Sequence, residues 1–317
     1  MRKYHPVLIG FALVFVFINA RAQTPSSAKR FFEHGQKNFA GGNLEAAFED
    51  YSRAIEISSR LDARGNSATD PLSAANEFNS RSALDHVSVI DPFTAIAYTN
   101  RGVVRYRQHF IDDAMADFNA AIRISPRLAA AYVGRGFIYR IKGDFDSAGA
   151  DFDRAISIDP RLAEAYTGRA DVRIEKGDLG GALSDLDRAL AIKPTSAETH
   201  ALLGYVRLQK NELDSAIASF DRALELNPRL ASAYHGRGST RVKRGEFDLA
   251  IADFTRALEL NPDLPLSYMN RGLALILQGK DALAQKDFER SVALKPGLSA
   301  ELNKRIELAK KLRAPGP

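Results

Sequence analysis

Cysteine and tryptophan are absent from the 317 residues, and methionine occurs three times. Without cysteine the chain can form no disulfide, carries no lipidated cysteine, and offers neither a thiolate nucleophile nor a sulfur-ligated metal site. Long hydrophobic runs are also scarce: beyond Ile18 no stretch is apolar enough to cross a bilayer. The short signatures of chemistry are missing too, with no HExxH, no glycine loop for phosphates and no nucleophile elbow followed by an acid and a histidine. The six histidines are scattered, whereas a metal site needs three or four ligands in one place. These absences point away from an enzyme and from a resident metal or cofactor.

Charge excludes a further class. The chain carries a formal +5, but three of its 44 basic residues, Arg2, Lys3 and Arg21, lie in the first 22 positions, where there is no acidic residue; the remainder sets 41 basic against 39 acidic groups, a net of +2. A nearly balanced surface does not argue for nucleic acid. At 45% hydrophobic and 26% charged, the composition is that of an ordinary folded protein.

The one apolar run, Val7 to Ile18, follows Arg2 and Lys3 and precedes Ala20-Arg21-Ala22, the small-x-small arrangement of a signal-peptidase site. Residues 1–22 therefore read as a cleaved export signal, with 23–27 a linker, and the mature chain is expected in the periplasm or secreted. An uncleaved anchor is the competing reading, disfavoured by Gly10 and the polar Asn19.

What the chain has in abundance is order. Pro92, Pro126, Pro160, Pro194, Pro228, Pro262 and Pro296 follow one another every 34 residues. A constant period of that size means one helical or strand-bearing unit stacked on copies of itself. Counted from Ala95, position 4 of successive copies is Tyr98, Tyr132, Tyr166, His200, Tyr234 and Tyr268, and position 8 is Gly102, Gly136, Ala170, Gly204, Gly238 and Gly272. Position 20 is always Ala, position 24 is Phe118, Phe152, Leu186, Phe220, Phe254 and Phe288, and position 27 is Ala except for Ser291. Spacings of three and four mark two amphipathic helices per copy, a hairpin. At position 15 stand Gly143, Gly177, Gly245 and Gly279, with His109 and Asn211 in the other copies, which predicts a left-handed residue closing the first helix. The prolines stop the second helix. Glycine at position 8 costs about 0.5–1 kcal/mol inside a helix, so it implies a close approach of neighbouring backbones, with the alanines at 20 and 27 as the facing small surfaces.

This pattern resembles the tetratricopeptide repeat, in 95–128, 129–162, 163–196, 197–230, 231–264 and 265–298. An earlier copy, 28–61, has Phe31, Gly35, Gly42, Ala47, Tyr51 and Ala54 in place but Ser59 where Pro is expected. The resemblance implies an all-α, right-handed solenoid over 28–298 whose first helices line a concave groove for a protein segment. Residues 62–94 read as an irregular or degenerate repeat. Gly65 to Pro71 suggest a loop, Leu84, Val87 and Asp91-Pro92 the phase of a second helix, and a packed, degenerate copy is preferred to a mobile flap. Residues 299–313, with Leu302, Ile306 and Leu308 or Ala309 on one stripe, read as a capping helix, and 314–317 as a tail.

One pair of positions varies together. Position 7 is Arg101, Arg135, Arg169, Arg237 and Arg271 where position 23 is Asp117, Asp151, Asp185, Asp253 and Asp287, and the copy with Leu203 has Ser219. In an antiparallel hairpin these positions lie within about one residue's rise, 1.5 Å, so an ion pair within the repeat is favoured over an arginine ladder for anionic ligands.

By the same resemblance, positions 2, 5, 9 and 12 of the first helices line the groove. The candidate partner-binding residues are Val103, Tyr106, Phe137, Arg140, Asp171, Ile174, Tyr205, Leu208 and His235. The Lys and Asn set with which some relatives clamp a chaperone's C-terminal carboxylate is lacking, so that ligand is not expected. The apolar last copy, Leu266, Met269, Leu273 and Ile276, is assigned to covering by the cap. The expected function is a non-enzymatic scaffold binding a protein partner of the cell envelope. The alternatives are an envelope glycan-binding or export accessory component, for which Tyr106, Tyr205 and Asp171 would suit sugar, and an enzyme with an unrecognised site.

Overall fold

The computed structural model describes residues 26–62 and 92–313; the expected export signal and most of the irregular stretch lie outside them. The described residues form fifteen α-helices and no strand. Two compact units divide the chain, one ending at Val172 and the other running from Arg173. The first holds α1 (Ser26–Ala40), α2 (Leu44–Asp62), α3 (Pro92–Arg107), α4 (Ile111–Ile124), α5 (Ala129–Lys142), α6 (Phe145–Ile158) and most of α7 (Ala163–Lys176). The second holds the end of α7, then α8 (Leu179–Ile192), α9 (Ala197–Gln209), α10 (Leu213–Leu226), α11 (Ala231–Arg244) and α12 (Phe247–Leu260). It finishes with α13 (Pro265–Leu277), α14 (Asp281–Leu294) and α15 (Ser299–Leu312). In each unit the helices pack as hairpins stacked one on the next, an α-solenoid architecture.

The turns follow from local chemistry. Gly143, Gly177, Gly245 and Gly279 have φ between 76° and 83°, and His109 and Asn211 adopt 66° and 64°. The left-handed residue turns the chain so that orphan carbonyls are met: Gly143 N–H donates to Arg140 O and Asp144 N–H to Tyr139 O, at 3.0 and 2.9 Å. Asp144 then caps α6 by accepting from the Ser147 N–H. Second helices stop at Ile124, Ile158, Ile192, Leu226, Leu260 and Leu294, each two residues before a proline.

Packing corrects the expected role of the position-8 glycine. What approaches it is the aromatic ring at position 24, not a second backbone: a Cβ on Gly102, Gly136 or Gly238 would sit 3.0 Å from Phe118, Phe152 or Phe254. A second glycine, unremarked in the pattern, faces the same ring from the following repeat, since a Cβ on Gly134, Gly168 or Gly236 would overlap Phe118, Phe152 or Phe220. The rings of Phe118, Phe152 and Phe220 are thus slotted between two helix backbones, where the lack of a Cβ leaves room for them. The copy with Ala170 is also the one with Leu186 in place of the ring.

The ion pairs form as the paired substitutions imply. Arg101 Nη2 meets Asp117, Arg135 Nε meets Asp151, and Arg237 and Arg271 Nη2 meet Asp253 and Asp287, at 2.7–2.8 Å with the carboxylates buried. Two further partners were not legible in the pairing. Arginines at position 11 join the same acids: Arg105 to Asp117, Arg173 to Asp185, Arg241 to Asp253. The position-7 arginines also reach position 25 of the preceding repeat, Arg135 donating to Asn119 Oδ1 and Arg169 to Asp153 Oδ1. These donors are engaged within the stack, which supports the ion-pair reading over an arginine ladder for anionic ligands.

That second bond changes the reading of the irregular stretch. Arg101 donates to Ser52 Oγ at 3.3 Å, the same relation between position 7 and position 25 of the copy before, and the Tyr51 hydroxyl lies beside Asn100 at the position-6 site. The copies 28–61 and 95–128 pack directly on each other through α2 and α3. Pro92 does not end a second helix as its phase suggested; it opens α3, whose added turn sets Phe93 against Phe32 with ring centres 5.2 Å apart. Residues 63–91 lie outside the described residues.

At the other end α15 packs on α13, and Leu302, Ala309 and Ile306 join Met269, Ile276 and Phe288 in one apolar cluster. Leu308 instead faces solvent.

Candidate functional site

Among the described residues no three His, Asp or Glu side chains gather as a metal site, and no helix is long and apolar enough to cross a membrane. The faces left to examine are those formed by the first helices of each unit, α3, α5 and α7 in the first and α9, α11 and α13 in the second.

Most of the expected lining is inside the protein. Val103, Phe137, Asp171, Ile174, Leu208 and His235 are all buried, none more than 8% exposed, and cannot be contact residues as they stand. The cause is the closeness of successive first helices, which touch at α3–α5, α9–α11 and α11–α13. A side chain at position 5 or 9 therefore turns sideways into the stack. Phe137 packs edge-on against Phe152 with centres 5.0 Å apart. His235 lies 5.5 Å from the Phe254 ring, and its Nδ1 is 2.8 Å from Ser267 Oγ on α13. Burial alone pushes the His235 imidazole down to about 4, so it is neutral at neutral pH.

Asp171 and Arg140 form a pair that single positions did not reveal, because they sit at positions 9 and 12 of different copies. Arg140 Nη1 approaches Asp171 Oδ2 at 2.9 Å, from α5 to α7. The contact is ionic and poorly aligned, and Oδ2 accepts no well-directed hydrogen bond. Burial raises the Asp171 carboxyl above its ordinary value, with Arg140 opposing.

Three of the nine candidates keep surface: Tyr106, Arg140 and Tyr205, each half-buried. Burial pushes the Tyr205 phenol up to about 12, against a hydrogen bond with Gln209 that lowers it. Tyr106 is raised by burial too, the charges of Arg140 and Arg107 pulling the other way. Both phenols therefore stay protonated at neutral pH and can donate a hydrogen bond while offering a ring edge. That chemistry can hold a ligand.

Models of the tetratricopeptide repeat match residues 99–163, 139–197, 173–236 and 266–298, and a model described as TPR repeat matches 238–279. The chain belongs to the tetratricopeptide-repeat family. Among solved structures, a tetratricopeptide-repeat protein from Parabacteroides merdae is 18% identical with a TM-score of 0.58, covering 89% of this chain and 98% of that one. The Cut9 and Hcn1 assembly of the APC/C gives 19% and 0.63, over 83% of this tetratricopeptide-repeat chain and 55% of the other. The pilF protein of Pseudomonas aeruginosa gives 19% and 0.56, over 66% and 95%. At these identities the likeness is one of fold. No curated protein matches in sequence.

Proposed function

We propose that this tetratricopeptide-repeat protein is a non-enzymatic scaffold of the cell envelope that holds segments of a partner protein against the first-helix faces of its units. The observation that carries the reading is what remains open among the first helices: the protonated, half-buried Tyr106 near the paired Arg140 in the first unit, and the protonated, half-buried Tyr205 in the second. Partly buried aromatic groups of this kind are common anchors at protein interfaces. Phe137, Leu208 and the other buried candidates act by shaping the stack beneath them. The export signal read in residues 1–22 supports the envelope location.

Two measurements test the proposal. Removal of the signal predicts a native protein whose intact mass starts at Gln23, in the soluble envelope fraction; Met1 retained on a membrane-bound chain would count against the location. Replacing Tyr106 and Tyr205 by Ala is expected to weaken partner capture roughly thirtyfold for each anchor worth about 2 kcal/mol. A double variant that melts normally and keeps the wild-type affinity for captured partners places binding elsewhere.

A further inference from the structure

Within the unit from Arg173 on, successive repeats are tied by two recurrent side-chain bonds. One joins position 7 to position 25 of the copy before, as Arg237 to Asp221 at 2.6 Å and Arg271 to Thr255 Oγ1 at 3.0 Å. The other joins position 14 to position 18 of the copy before, as Arg244 to Asp214 at 2.7 Å and Gln278 Nε2 to Asp248 at 2.8 Å. They lie at different heights on the helices, so together they fix the angle between neighbouring hairpins as well as their distance.

Both are missing at one joint. Where α9 follows α8, position 7 is Leu203 and position 18 of the preceding copy is Gly180, so neither bond can form. The groups left behind confirm the vacancy. Asp187, at the position-25 acceptor site, is exposed and has no partner among the described residues, and Lys210 at position 14 turns to Glu212 of its own copy at 2.8 Å. Arg207 stays within its hairpin, donating to Ser219 Oγ at 2.7 Å. In place of the ring and glycine slot the joint carries Leu186 at position 24 and Leu202 at position 6, both buried, with buried Leu203 beside them. Apolar contact of this kind resists separation but sets no direction, whereas the charged bonds at the other joints do both.

We propose that the joint between α8 and the α9–α10 hairpin is a hinge. Sliding of leucine against leucine lets the hairpins on its C-terminal side change angle without loss of burial, and a partner segment lying across the joint selects the angle.

The absence of cysteine makes the test direct, because two introduced thiols can be spin-labelled alone. Ser184, Ala218 and Ala252 occupy the same exposed position of three successive second helices. Ser184→Cys with Ala218→Cys spans the leucine joint, and Ala218→Cys with Ala252→Cys spans a doubly bonded one. Pulsed dipolar measurements on the full chain are expected to give a distance distribution about twice as wide across the leucine joint. Restoring the bonds with Leu203→Arg, Ser219→Asp and Gly180→Asp should narrow it to the width of the control. Equal widths for the two pairs in the otherwise natural chain overturn the proposal, and so does an unchanged width in a restored chain whose circular dichroism shows it folded. Should the restored chain fail to fold, the comparison of the two pairs decides alone.

Discussion

Phe254→Ala is expected to lower the free energy of unfolding by about 3–5 kcal/mol. Its ring is fully buried, slotted beside Gly238 and packed against the imidazole of His235. One face of that slot, at Gly238, is helix backbone, which cannot collapse into the space a lost ring leaves, so the cavity term adds to the lost transfer free energy. Each hairpin is also stabilised by its neighbours, and damage at one slot reaches the repeats on either side. Urea titration followed by circular dichroism measures the change. Leu249→Ala, on the same helix but half exposed, is the control and should fall within about 0.5 kcal/mol of wild type. A loss below 1 kcal/mol for Phe254→Ala would show that the slot closes.

Asp253→Ala should cost about 3 kcal/mol or more, because it leaves two arginines facing a buried site without their carboxylate. Asp253 is held by Arg237 and by Arg241, each at 2.7 Å, and its side chain is 4% exposed. The neighbouring copy shows how the site works without the charge: Leu203 replaces the arginine, and Arg207 donates to Ser219 as Arg241 would to a serine at 253. The double change Arg237→Leu with Asp253→Ser is therefore expected to cost less than the sum of its parts, with a coupling of about 0.5–3 kcal/mol. Strict additivity in the denaturation cycle would rule out the pair.

The repeat, its two helices and its turns were legible because they rest on local rules. A left-handed residue is needed where a first helix closes, and His109 and Asn211 take that conformation as the glycines do. The Arg–Asp pair was legible because its members are exchanged together in the Leu203 and Ser219 copy. The bonds between copies were harder to see. Where it accepts a bond from the next copy, position 25 is Ser52, Asn119, Asp153, Asp221 or Thr255, four residue types that share an oxygen acceptor, so a pattern read letter by letter passes over them. The placing of 28–61 directly before 95–128 was hidden for the same reason: it rests on Arg101 meeting Ser52 across 49 positions of chain.

The sequence by itself determined that this chain is a stack of helical hairpins of the tetratricopeptide type, which residues form the inward stripe of each hairpin, and where the helices of the six regular copies stop. Periodicity and turn chemistry act within a few residues, so every copy carries that information separately. Only the tertiary structure decided which of the remaining side chains meet water. A residue at position 5 or 9 lies on the outer stripe of its own helix in every copy, yet Phe137, Asp171 and His235 are enclosed while Tyr205 keeps surface. What encloses them comes from another copy, as Ser267 meets His235 and Arg140 meets Asp171, and such a contact is a property of two copies together, written in neither of them alone.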